Sequence, residues 1–298
     1  MTATGAKASW GLAEGEELAP GRTVLAPLGG GSAYEVLLVW DERFYALMVA
    51  KVLRPDRAED PHDLRDLARE AEALDRLRHP MLVRGFDAQL GGHRPHLLIE
   101  HLEGPSLHSL LRRHAVLPPE QLLPLAAHMA GALHYMGGAG WVHLDVKPDN
   151  IIMGVPPRLV DLSVARPVER AARLRAPVGT DGYMAPEQCA PDGRIGPATD
   201  IWGLGATLFH ALTGGRPFQR PKAAGSSDDP AVRFPQLHAE PAPLPRKTSP
   251  ALAGLLERML AKDPDDRPDV PAIVAALEPE IARLPRRLVL SKRGARFR

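Results

Sequence analysis

The sequence predicts an α+β fold in two parts, a small antiparallel sheet carrying one helix followed by a larger, mainly helical part. Three observations predict it. Strand-like runs crowd into residues 23–100, and helical periodicity dominates after Gly104. The third is the length of 298 residues, at which one core stops growing and a chain divides into lobes sharing a cleft.

Along the chain, residues 1–21 are rich in Ala, Gly and Glu, with a lone Trp10, and read as a flexible lead-in. Residues 22–103 hold the runs EVLLVW (35–40), FYALMVAKVL (44–53), LVRGFDAQL (82–90) and HLLIE (96–100), parted by turn-forming residues. Between them Leu64, Leu67, Ala68, Ala71, Leu74 and Leu77 recur at helical spacing, and Pro80 stops that helix. Residues 104–283 carry helical patterns over 106–113, 119–136, 198–213, 249–262 and 269–283. The stretch DIWGLGATLFHALTG is apolar nearly all round and predicts a central buried helix capped by Asp200. Residues 215–248 are Pro-rich and read as a long surface connection, and residues 284–298 form a basic tail.

Composition excludes several classes. A net charge of +1 gives no field that would draw a nucleic acid. The single Cys189 can form neither an internal disulfide nor a cysteine zinc site, which fits a reducing, cytoplasmic setting. No secretory signal pattern and no apolar run of membrane-spanning length occurs, so a soluble protein without a transmembrane segment is expected.

The chemistry concentrates in HLDVKPDN, residues 143–150. Asp145 can serve as a base, Lys147 as a cation facing a phosphate, and Asn150 as an oxygen ligand to a metal. Eleven residues further on, RLVD ends in Asp161, a second hard oxygen donor. A divalent cation with phosphates is the natural occupant.

With these residues in place, the chain resembles the eukaryotic-type serine/threonine protein kinases also found in bacteria, over roughly residues 22–283. The catalytic loop of that family corresponds to His143–Asn150, its D-F-G to Asp161-Leu162-Ser163 and its A-P-E to Ala185-Pro186-Glu187. LGGGSAYEV, from Leu28 to Val36, stands where the family has its phosphate-covering loop, with Gly29 and Gly31 as its first two glycines. The resemblance implies the two-lobed kinase fold and transfer of the γ-phosphate of ATP to Ser/Thr hydroxyls of protein substrates. It implies that Asp145 takes the acceptor proton and Lys147 neutralises the transferring phosphate. It further implies that Asn150 and Asp161 bind Mg²⁺, that Lys51 holds the α/β-phosphates with Glu70 as its partner, that Leu28, Gly29, Gly31 and Val36 bind the nucleotide, and that Ile99 takes the gatekeeper position while Glu100 and Leu102 supply hinge backbone groups to adenine. Asp200 and Arg267 match structural supports, the latter pairing with Glu187.

Three positions depart from the family pattern. Tyr34 replaces the third glycine of the phosphate-covering loop, and Ser163 replaces the glycine of D-F-G. Leu144 replaces the arginine that grips a phosphorylated activation loop; leucine cannot pair with phosphate. Residues 164–178 contain no Ser, Thr or Tyr. These two absences predict a kinase whose loop needs no phosphate, or one controlled by a regulatory protein partner. The alternative reading is a pseudokinase, a nucleotide-binding scaffold of the same fold. Ser226, Ser227, Thr248 and Ser249 are hydroxyls open to autophosphorylation.

Overall fold

A computed structural model describes residues 8–190, 193–220 and 229–284. The basic tail from 285 onward and Ser226 and Ser227 lie outside the described residues. The chain divides into two compact units. Unit 1 comprises the residues up to Glu103 together with Asp161–Ser163, and unit 2 comprises the remainder.

Unit 1 is built from β1 (Glu17–Ala19), β2 (Arg22–Gly30), β3 (Tyr34–Asp41), β4 (Ala46–Leu53), α1 (Pro61–Arg76), β5 (Gly85–Gln89) and β6 (His96–Glu100). Its strands form one antiparallel sheet in the order β1-β2-β3-β4-β6-β5. Burial alternates strictly along β3, the signature of a half-buried strand. Val24, Leu37, Val39, Met48, Ala50, Val52 and Leu98 close one core on this sheet. Helix α1 starts where Asp60 accepts the amides of His62 and Asp63, with Pro61 in the first turn. Its buried face is Leu67, Glu70, Ala73 and Leu74, so a carboxylate sits in the middle of an apolar stripe.

Residues 8–21 are not loose, which corrects the flexible reading for that part of the lead-in; residues 1–7 lie outside the described residues. Strand β1 joins the sheet, Leu18 is buried, and the Trp10 indole donates to the Leu53 carbonyl at 2.7 Å. One aromatic ring and one leucine at irregular spacing produce no periodicity, yet they bury enough to anchor the segment.

Unit 2 contains α2 (Leu107–His114), α3 (Pro119–Gly138), β7 (Trp141–Val142), β8 (Ile151–Ile152), β9 (Arg158–Leu159), β10 (Arg166–Pro167), α4 (Val168–Ala171), α5 (Pro186–Cys189), α6 (Pro197–Thr213), α7 (Pro230–Arg233), α8 (Pro250–Met259) and α9 (Val270–Ala282). Helix α6 is buried from Thr199 to Phe209. At Gly205 a Cβ would meet the Met259 Cβ at 2.9 Å, so this glycine sets how closely α6 and α8 approach. Gly214 ends α6 in the left-handed region, φ 79°, with its N–H on the His210 carbonyl. The Pro-rich connection is more than surface: Phe218, Phe234 and Gln236 are buried. No helix among the described residues is long and apolar enough to cross a membrane.

Candidate active site

In unit 1 the pairing of β3 with β4 sets Val36 opposite Lys51 and Tyr34 opposite Leu53. Lys51 Nζ lies 2.9 and 2.7 Å from the two carboxylate oxygens of Glu70, and 2.9 Å from Asp161 Oδ1. Burial alone would lower the pKa of this ammonium; Glu70 and Asp161 outweigh it and hold Lys51 above the ordinary lysine range. Asp161 takes a positive φ of 64°, a conformation rare outside glycine. Arg69, next to Glu70 on α1, donates to the Ser163 carbonyl at 3.1 Å. Helix α1 therefore reaches the Asp161–Ser163 segment twice, through Lys51 and through Arg69.

The glycine-rich strand end behaves differently from its motif reading. Gly29 has φ 129° and open space around it, and Gly31 is unconstrained. Gly30 is the demanding position: φ is 145° and a Cβ would collide with the Tyr34 carbonyl. Leu28 is exposed, and Val36 and Ile99 are half-buried. The Glu100 amide donates to the Arg84 carbonyl and its carboxylate takes the Arg84 guanidinium, so the N–H of Glu100 is committed within unit 1. Leu102 follows, half-buried, outside any strand.

In unit 2 the loop after β7 converges on Asp145. Its Oδ2 accepts from Lys147 Nζ at 2.6 Å and from Asn150 Nδ2 at 3.1 Å, and its Oδ1 accepts from Thr180 Oγ1 at 2.7 Å. Lys147 also donates to Thr180 Oγ1 at 2.7 Å. Asn150 Nδ2 bonds the Asp145 carbonyl as well, at 2.9 Å, which commits the donor end of the amide and turns the acceptor end outward from Asp145. Asp200, buried at the start of α6, accepts the amides of His143 and Leu144 at 2.7 and 2.8 Å. That clamp holds Leu144 at φ 68°.

Leu144 is buried against Val142 and Ala171, with Val164, Val168, Leu174, Val178 and Ile195 packed around them. Two further residues that sequence reasoning did not single out complete the scaffold. Gln188 Nε2 reaches both the Leu144 and Val178 carbonyls, at 2.9 and 2.8 Å. Gln236 Nε2 reaches the Asp181 and Met184 carbonyls. An isolated glutamine carries no motif signal; only its burial beside backbone carbonyls reveals it. Cys189 is buried, and burial pushes its thiol up to about 12, so it is an inert packing group.

Residues 22–277 match the protein kinase domain family. This chain belongs to the protein kinase family. Among curated relatives, the kinase domain is 30% identical over 80% of this chain to the serine/threonine-protein kinase PknB of Mycobacterium leprae. It is 34% identical over 76% of this chain to the serine/threonine-protein kinase PkaA of Streptomyces coelicolor, and 33% identical over 82% to the serine/threonine-protein kinase pkn2 of Myxococcus xanthus. These alignments span 39%, 42% and 30% of the relatives' own lengths.

Proposed function

We propose that this kinase domain transfers the γ-phosphate of ATP to serine or threonine hydroxyls of protein substrates. The observation that carries the reading is the Asp145 carboxylate, held by Lys147, Thr180 and Asn150. A carboxylate fixed on both oxygens is oriented before substrate arrives, which is where phosphoryl transfer gains most of its rate. In the proposed reaction the acceptor oxygen bonds to the γ-phosphorus as the bond to the β-phosphate oxygen breaks. Asp145 receives the acceptor proton and ADP leaves. Lys147, 2.6 Å from Asp145, supplies positive charge beside the transferring group. Lys51, kept charged and aimed by Glu70, would hold α/β-phosphate oxygens.

The donor set suits a hard divalent cation such as Mg²⁺: the Asp161 carboxylate and the acceptor end of the Asn150 amide are both oxygen ligands. When bound, such a cation would neutralise phosphate charge. Loop phosphorylation is not required in this reading. The Leu144 cluster gives the activation loop apolar anchorage where an arginine would need a phosphate partner. Nucleotide contacts by Leu28, Gly29, Gly31 and Val36 of the phosphate-covering loop and by Ile99, Glu100 and Leu102, and control by a regulatory protein, belong to the same proposal.

The test is transfer of labelled phosphate from ATP with Mg²⁺ to the protein itself and to a generic acceptor protein, beside Asp145→Asn. Transfer by unphosphorylated protein that falls about 100-fold or more in the variant is the expected result. ATP binding without transfer would overturn the reading.

A further inference from the structure

Lys51 is enclosed on a fourth side by Tyr34, the departure from the family pattern at the third glycine of the phosphate-covering loop. Its three N–H groups are all used by carboxylate oxygens, two on Glu70 and one on Asp161. The Tyr34 ring lies over what remains, its centroid 4.7 Å from Nζ. The sheet register makes this contact: Tyr34 pairs with Leu53 and Val36 with Lys51, so Tyr34 and Lys51 are diagonal neighbours on one face, within reach of an aromatic ring. Tyr34 stands where the family pattern has a glycine, which has no side chain to cover the lysine.

The hydroxyl is a poor explanation for the tyrosine. Tyr34 Oη is buried and makes no hydrogen bond, an arrangement that works against folding. Burial raises the phenol above its ordinary range and Glu70, Asp66 and Asp63 add to that, while Lys51 opposes them, so the ring is neutral throughout the physiological range. What the ring offers is its face, which attracts an ammonium most strongly where water is excluded.

We propose that Tyr34 is a positioning residue for nucleotide binding: its ring confines the Lys51 ammonium against Glu70 and shields it from water, leaving only its carboxylate-facing side for exchange with phosphate oxygens. The inference rests on the reading of Lys51 as a phosphate ligand. It assigns to an aromatic side chain at position 34 the ordering of that lysine.

The test uses the whole chain with Tyr34→Phe and Tyr34→Leu, each checked for wild-type folding by thermal melting, and with Tyr34→Gly where it folds. Two quantities are read. The first is the rate at which a small amine-reactive acylating reagent labels Lys51, followed by peptide mass spectrometry without nucleotide. The second is the dissociation constant of a fluorescent ATP analogue. Tyr34→Phe should keep both at wild-type values. Tyr34→Leu and Tyr34→Gly should label Lys51 faster and bind nucleotide more weakly, each by about 3- to 30-fold. Wild-type labelling and binding in Tyr34→Leu would overturn the proposal, as would Tyr34→Phe behaving like Tyr34→Leu. Neither readout needs phosphotransfer, so an inactive wild-type protein would defeat the kinase reading while leaving this result intact.

Discussion

Arg267 grips Glu187 through two hydrogen bonds of 2.6 and 2.8 Å, and neither side chain meets solvent appreciably. Thr199 adds a third bond to the same carboxylate at 2.8 Å, and Arg267 also binds the carbonyls of Ala261, Ala198 and Lys262. The guanidinium lies 5.1 Å from the Trp202 ring centre. A residue from the α8–α9 connection thus fixes the start of α5 and the start of α6 together.

Removing one partner leaves the other charged and buried. Arg267→Ala is expected to destabilise unit 2 by about 3–5 kcal/mol, measured by urea denaturation. The double variant Arg267→Ala/Glu187→Ala should lose less than the sum of the single variants, because it strands no charge. Additive losses would show that the pair is not coupled.

His96 makes stability depend on acid. The imidazole is fully buried, with Nδ1 2.7 Å from the Arg94 carbonyl and Nε2 2.7 Å from an Arg22 nitrogen. A carbonyl only accepts and a guanidinium only donates, so the neutral tautomer with its proton on Nδ1 satisfies both. A second proton would set N–H against N–H. Burial accordingly lowers the His96 pKa below the ordinary value. The unfolded chain then binds a proton that the folded chain does not, and stability falls as pH drops below about 6.5, by up to about 1.4 kcal/mol per pH unit. Denaturation at pH 7.5 and pH 5.5 should show the loss, and His96→Gln should flatten it. An unchanged slope in His96→Gln would assign the effect elsewhere.

How far the sequence announces such features depends on whether they are periodic. Strands β3, β4 and β6 and helix α1 were legible because apolar residues recur at the period of the element, and the eight-residue loop at 143–150 was legible because reactive side chains crowd together. Glu70 follows from the family resemblance, although a solvated helix face would read the same in the sequence; its burial is a tertiary fact. Strand β1 and the Trp10 anchor gave no signal, being single residues at irregular intervals. Gly30 was passed over for Gly29 and Gly31 because the motif counts glycines, while the backbone decides which one a Cβ would obstruct. Leu144 read as the loss of an arginine, and only packing shows that leucine builds a different anchor at the same position.

That anchor is testable by protease. Leu144 holds Ala171, Val168, Leu174 and Val178 of the activation loop, whose Arg170, Arg173 and Arg175 are exposed. Leu144→Ala leaves a void and is expected to cost about 2–5 kcal/mol. Brief trypsin treatment should cut the variant at these arginines faster than the wild type, before general digestion begins. Leu144→Arg, which restores the residue of the family pattern, should open the loop further, because residues 164–178 offer no phosphorylated side chain for the guanidinium to meet. Equal cutting of all three proteins would mean that the loop is held by other contacts, Gln188 foremost.

Thr180 carries a hydroxyl bonded to both Asp145 and Lys147, and its chemistry separates two modes of control. Its Oγ1 donates to Asp145 at 2.7 Å and accepts from Lys147 at 2.7 Å, so it orients the carboxylate and the ammonium together. Thr180→Ser keeps both bonds and should keep activity. Thr180→Val keeps the shape and loses a hydrogen bond on each charged group, each worth about 1.5–3 kcal/mol, so phosphotransfer should fall by roughly 10- to 100-fold. A phosphate on Thr180 would place a dianion against the Asp145 carboxylate, and Lys147 alone cannot neutralise both. Thr180→Glu is therefore expected to be less active than Thr180→Val, measured as labelled phosphate transferred at saturating ATP. If Thr180→Glu were instead more active than the wild type, the kinase would depend on phosphorylation at this residue, and the apolar anchorage through Leu144 would not suffice to hold the loop ready.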